Sequence, residues 1–153
     1  MTVRVGRTVS MIDASIELNA DLTQRVVFKP NEYVWESSRM PGVERMKFDR
    51  IGDEIARDTS LVRYAANSSF SPHGHPGGEE IFVLEGAFYE EHDSYLVESW
   101  LRSPHLGKHC PYTKDDGALI YVKVGHLHAN EIKASNLIIK SDHQVKSLNQ
   151  AIK

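Results

Sequence analysis

The sequence has a single cysteine, Cys110, and no histidine before position 73. A lone cysteine excludes an internal disulfide framework. A chain of 153 residues needs none, because a domain of that size buries about two thirds of the surface its unfolded chain exposes. No apolar run has the length of a signal peptide or a membrane span, and none opens the chain. Basic blocks are missing as well: 18 Lys and Arg against 21 Asp and Glu leave a net charge of -3, so no phosphate-tracking surface and no nucleic-acid partner is expected. Repeats, low-complexity segments and linkers are also lacking. The expectation is one soluble, cytoplasmic domain spanning 1–153, free of membrane and nucleic acid. All eight histidines fall at or after His73, which confines metal chemistry to the second half.

Helical periodicity is scarce, and short β-patterned runs separated by turn residues are common. Val26-Val27-Phe28 ends at Lys29-Pro30-Asn31, where proline fixes φ and bars the preceding residue from the helical region; Tyr33 to Glu36 follows as a second short strand. Met46 and Phe48 alternate with Arg45, Lys47 and Asp49 as in a half-buried strand. Leu61 to Ala65, Tyr95 to Arg102 and Leu119 to Val124 read as further strands, and Ile81 to Leu84, apolar at every position, reads as one buried on both faces. Val3 to Met11 alternates weakly, and the tail beyond Asn130 offers Leu137-Ile138-Ile139 as a strand and Val145, Leu148 and Ile152 at helical spacing. Many short strands with Gly, Pro and Asn turns predict an all-β antiparallel barrel or sandwich of the jelly-roll kind.

The chemistry concentrates in Ser71-Pro-His-Gly-His-Pro-Gly-Gly-Glu-Glu-Ile-Phe-Val-Leu-Glu-Gly86. Residues i and i+2 of an extended strand project from one face, so His73 and His75 can share one ion. A turn at Pro76-Gly77-Gly78 then brings a carboxylate back to the imidazoles, with Ile81 and Val83 on the same face. A fourth ligand must come from elsewhere. The pattern His-x-His, three residues, Glu, six residues, Gly selects Glu79 with Gly86 and turns Glu80 to the opposite side.

This stretch resembles the first motif of the cupin superfamily, small jelly-roll barrels (double-stranded β-helices) that bind one divalent metal. The second cupin motif falls in Arg102-Ser-Pro-His-Leu-Gly-Lys-His-Cys-Pro111, and the resemblance implies His109 as the fourth ligand, on a strand facing the first pair. Asp49 to Tyr64 and Gly77 to Gly86 further resemble the cupin domain at the C-terminal end of ChrR-type anti-sigma factors, over roughly residues 25 to 125. Two departures stand out. Asn67 occupies a glycine position, where its tolerance of the left-handed conformation lets the turn survive. Gly107 sits one place late, and His105 in the interval is a loop histidine or a competitor for the ion. The resemblance implies a metal set of His73, His75, Glu79 and His109, with zinc first and iron, manganese or nickel also accepted by such donors.

Elsewhere the plainer reading prevails. His126 and His128 near Glu131 lack a glycine turn and read as surface histidines. Cys110 reads as structural, with no basic partner in view. Arg63, Tyr121 and Lys123 are candidates to contact a substrate but fit ordinary strand-face positions, and Trp35 and Trp100 fit core or rim packing. Two functions follow from the resemblance: a dioxygenase-like metal enzyme acting on a small oxygenated molecule, or a ligand-sensing regulatory module of the ChrR kind. Residues 1 to 72, without His, Cys or much helical pattern, do not resemble the zinc-binding helical domain that holds a sigma factor, so a stand-alone cupin is expected. Its Val3 to Met11 segment would pair two copies as a homodimer.

Overall fold

A computed structural model describes residues 17–52 and 56–127 of the chain. Ten strands and one turn of 3-10 helix follow in order: β1 (Glu17–Leu18), the 3-10 turn Pro30–Glu32, β2 (Glu36–Ser37), β3 (Val43–Ile51), β4 (Arg57–Tyr64), β5 (His73–Gly74), β6 (Glu79–Tyr89), β7 (Ser94–Leu96), β8 (Trp100–Ser103), β9 (Lys108–His109) and β10 (Ala118–Val124). The main sheet runs β1-β3-β4-β10-β6-β7, with β2 added to β3 and β8 to β6, and β5 pairs β9 in a small second sheet. Every pairing is antiparallel. The all-β expectation therefore holds among the described residues, and no helix there is long and apolar enough to cross a membrane.

Period-two alternation builds the interior. Val62 and Tyr64 of β4, Ile81 and Val83 of β6 and Ile120 and Val122 of β10 point to one side and form the core with Val43, Phe88 and Ala118. On β6 the odd positions Glu79, Ile81 and Val83 are buried, yet so is even-numbered Phe88. The change of phase comes from a register shift where Leu119 pairs Glu85 but Ile120 pairs Val83, an extra residue that turns the later side chains over. Gly86, just beyond it, has a φ of 70° and packs against Gly117, whose carbonyl oxygen a Cβ would strike. Glycine is required there on both counts.

The sequence reading needs correction at four places. Val26 to Phe28 forms no strand: Val26 and Val27 find no sheet edge and stay exposed, while Phe28 packs on Phe48 at 5.7 Å between ring centroids. Of Tyr33 to Glu36 only Glu36 reaches a strand, β2. Tyr95 to Arg102 is two strands, because Glu98 adopts a φ of 70° in a turn whose amide donates to the Val83 carbonyl. Ile81 to Leu84 is buried on one face only; Phe82 and Leu84 on the other are 36% and 38% exposed. Asn67 does take the left-handed conformation, with a φ of 55°, and its side chain donates to Asp115 at 3.2 Å. The segments 3–11 and 137–152 lie outside the described residues.

Candidate metal centre

The small β5/β9 ladder assembles the centre. His73 and His109 are direct cross-strand partners, and the loop that follows β5 and the loop that precedes β9 clasp one another: the His75 amide donates to the Gly107 carbonyl at 3.2 Å and the Leu106 amide to the His75 carbonyl at 3.1 Å. The late glycine of the second motif is thereby used, because Gly107 approaches the first motif through its backbone. His105 has a structural part in the same clasp. Its Nδ1 accepts the Gly77 amide at 2.8 Å, which fixes the turn between His75 and Glu79 and keeps His105 apart from the histidine cluster. Gly77 itself is at a φ of 82°, and a Cβ there would come within 2.7 Å of the Gly125 Cα.

His73, His75 and His109 present ring nitrogens that all lie within 4.8 Å of one another, a group able to hold a metal ion. Their rings are 4.6, 4.7 and 5.2 Å apart between centroids. The Glu79 carboxyl completes the cluster, with Oε1 3.3 Å from His75 Nε2 and Oε2 3.3 Å from His109 Nε2. Glu80, its neighbour, pairs with Lys123 and Arg102 in the ladder and lies on the other face of β6.

Hydrogen bonds set the tautomers. His73 Nδ1 lies 2.7 Å from the Ser71 carbonyl oxygen; a carbonyl only accepts, so Nδ1 carries the hydrogen and Nε2 keeps its lone pair. His109 Nδ1 donates to Glu90 Oε2 at 2.9 Å, and Glu90 Oε1 accepts the Tyr95 hydroxyl at 2.8 Å. The arrangement tyrosine, carboxyl, histidine aims His109 Nε2 into the cluster, as the outer partners of metal-binding histidines do. Glu90 and Tyr95 are site residues that the sequence reading missed: Glu90 lies in a polar turn, and only the fold separates it from Glu91, which caps the Cys110 amide.

The donor set fits a cation. His75 Nε2 and His109 Nε2 face each other at 3.1 Å, so one proton or one ion must lie between them. Glu79 Oε2 is buried without a hydrogen-bond partner; its 3.3 Å approach to His109 does not have hydrogen-bond geometry. Burial pushes Glu79 up to about 7, opposed by the attraction of His109 and Arg45. His75 is pushed down to about 3, first by burial and then by His73 and His109, and burial also lowers His73. These two rings resist protonation. An orphaned buried carboxyl oxygen beside three imidazoles is suited to a divalent ion, which takes neutral imidazole and ionised carboxylate.

Beside the cluster a cavity of about 220 Å³ reaches from His73 and His75 to Arg39, Arg45 and Arg50. The interior behind it is lined by Ile81, Phe88, Ile120 and Val122, as expected for Ile81. The three candidate substrate contacts are elsewhere. Arg63 is exposed, with its guanidinium 3.8 Å from the Trp35 ring centroid and 3.4 Å from Glu44; Tyr121 lines an outer groove with Phe28 and Phe48; Lys123 shares the face of Tyr121 by period two. Trp100 is 56% exposed beneath Arg102, so neither tryptophan belongs to the core. Cys110 is a free thiol donating to the Phe70 carbonyl at 3.4 Å. His126 is half-buried, not on the surface, and is lowered by burial; His128 and Glu131 lie outside the described residues.

The antiparallel jelly-roll barrel that carries the three histidines is a fold shared by solved cupins. The chain resembles an RmlC-like cupin from Ralstonia eutropha with a TM-score of 0.58 and 16% identity over 66% of this chain and 68% of that one. It resembles a putative acetylacetone dioxygenase from Methylibium petroleiphilum with a TM-score of 0.57 and 15% identity over 66% and 76% of the two chains. The Rhodobacter sphaeroides SigE–ChrR complex matches with a TM-score of 0.53 and 21% identity over 63% of this chain and 51% of the matched one, about half its length. No curated protein matches. The profile of the ChrR cupin-like domain matches residues 23–128, and the chain belongs to that family.

Proposed function

We propose that the chain binds one divalent metal through His73, His75, Glu79 and His109 and acts on a small oxygenated molecule in the adjoining cavity. The observation that carries this reading is the buried, unpartnered Glu79 Oε2 facing His109 within a cluster of three imidazoles. Zinc is the expected ion, and iron, manganese and nickel accept the same donors. When bound, such an ion supplies Lewis acidity or, with iron, oxygen activation. The protein's own part is to hold the His73 and His109 rings in fixed tautomers, keep the carboxyl dry and shape the cavity. A dioxygenase-like reaction is the first reading, supported by a putative acetylacetone dioxygenase and an acetylacetone dioxygenase among the proteins of the same fold; at 15% and 18% identity these bear on scaffold, not on substrate. Regulation by ligand binding is the second reading, supported by the family match to ChrR.

The setting proposed is cytoplasmic and the assembly a homodimer. The outer face of β6 and β8 exposes Phe82, Leu84 and Trp100, apolar area that a second copy would cover.

Elemental analysis tests the centre. Wild type should carry about one metal per chain and His75→Ala close to none; full occupancy in the variant would refute the ligand set. Oxygen uptake with each metal across diketones and hydroxy acids then separates the two functions. Turnover supports the enzyme, whereas tight binding without turnover under every metal supports the sensor.

A further inference from the structure

The cavity beside the histidines has an uneven charge. Its wall holds three guanidiniums, those of Arg39, Arg45 and Arg50, against one carboxylate, that of Asp58. Asp58 is 1% exposed and clamps two of the three: Oδ1 accepts from Arg45 Nη1 at 3.3 Å and Oδ2 from Arg50 Nη1 at 2.9 Å. Ser60 reinforces the clamp, accepting from Arg45 at 3.3 Å and donating to Asp58 at 2.7 Å. The clamp holds the Arg45 fork still while using only Nη1, and a guanidinium has five N–H donors. Arg39 has no carboxylate partner among the described residues; its guanidinium stands 5.4 Å from the Phe70 ring centroid, at the wall shared with His73. A fixed guanidinium and an unpaired one, opening onto the same small cavity as two histidines, make a receptor for a planar anion.

From this geometry we infer that the molecule bound beside the histidines is a small organic acid, its carboxylate held by Arg39 and Arg45 and its other end reaching His73 and His75. The inference rests on the reading of the cavity as the small-molecule site and narrows its ligand from any oxygenated molecule to an anion. The size agrees: about 220 Å³ is below the range of roughly 300 Å³ upward typical of drug-sized ligands, which suits an acid of a few carbons. Phe70 offers that carbon skeleton an apolar wall.

Malonate and malonamide, alike in heavy-atom framework and different in charge, provide the test by isothermal titration into the metal-loaded and the metal-stripped protein. Malonate should bind at least about tenfold tighter in both forms, the scale of a hydrogen bond to a charged group. Arg39→Gln should abolish most of that preference and Arg39→Lys should restore part of it, while metal content stays at the wild-type level. Equal affinity for malonate and malonamide would overturn the inference, as would an undiminished preference in Arg39→Gln. Inorganic phosphate binding as tightly as malonate, with the same dependence on Arg39, would overturn the organic acid in favour of a bare oxyanion. A protein that holds no metal yet still prefers malonate would refute the metal centre and leave this inference standing, so the two failures are distinguishable.

Discussion

Two buried carboxyl groups inside the same barrel, Asp58 at 1% exposure and Glu79 at 5%, have opposite surroundings. Asp58 is fully compensated: two guanidiniums and a hydroxyl take its oxygens within 3.3 Å. Glu79 faces His109 and His75, the latter kept from protonating by burial, and one of its oxygens has no partner. Burial of a charge is costly unless it is paired, so the first arrangement is complete as folded and the second is completed by something that arrives. That contrast separates a structural ion pair from a binding site more clearly than residue type does, since both groups are acids on inward-facing strand positions.

Removing the compensated acid should do the most damage to the fold. Asp58→Ala leaves two guanidiniums crowded without a counter-charge, and a buried pair broken on one side costs about 3–5 kcal/mol. Urea unfolding should show that loss in the metal-free protein, with loosening of Arg45 at the cavity. A loss below about 1 kcal/mol would mean that water already compensates the arginines, and the contrast with Glu79 would fail.

Neutralising Glu79 should have the opposite sign in the metal-free protein. A carboxyl raised from 4.5 to about 7 stays protonated in the folded chain while the unfolded chain ionises, so the metal-free protein loses stability as pH rises from about 4.5 to 7. The total is about 3 kcal/mol at 1.36 kcal/mol per unit. Glu79→Gln removes that loss. The variant should match wild type below pH 4.5 and exceed it by up to about 3 kcal/mol above pH 7. Saturating metal should reverse the order, because only the carboxylate gains from the ion. His75, lowered to about 3, acts on the other side: its contribution is present above 6.5 and fades as pH falls toward 3. A variant less stable than wild type at pH 8 without metal would show that Glu79 is compensated after all.

Glu90 sharpens the comparison from outside the cluster. It is buried and does have partners, the His109 Nδ1 hydrogen and the Tyr95 hydroxyl, and it belongs to the site through His109. Replacing such an outer partner usually lowers metal affinity by about 10–100-fold. Glu90→Gln should fall in that range by competition with a chelator, with the fold intact. Unchanged affinity would reduce Glu90 to packing.

How much of this was legible in advance depends on the reach of each signal. His73, His75 and Glu79 are joined by a two-residue period and one glycine turn, which are local, so their juxtaposition could be read directly. His109, far along the chain, needed the family resemblance. Nothing local distinguishes Glu90 from Glu91 or marks Arg39 and Arg45 as neighbours of His73, because those relations exist only after β3, β5 and β6 are brought together. The exposure of Phe82 and Leu84 was hidden for the same reason: an apolar run shows what a strand can bury, not whether a second layer covers it. Arg63 and Tyr121 take the ordinary strand-face positions expected of them, while β10 turns Ile120 and Val122 inward.

Arg63 therefore offers the smallest effect and the control for all the others. Its guanidinium lies over Trp35 and beside Glu44 on the outside of the barrel, and such exposed contacts contribute about 0.5–1 kcal/mol. Arg63→Ala should lower stability by no more than about 1 kcal/mol and leave metal content, the pH dependence of unfolding and malonate affinity at wild-type values. A loss of malonate binding in this variant would mean that removing any positive charge weakens the anion, through the general field of the protein. The assignment to Arg39 and Arg45 requires the effect to be local, so the two arginine variants, one facing the cavity and one facing out, must differ for the inward and outward faces of the barrel to have the separate roles argued for them.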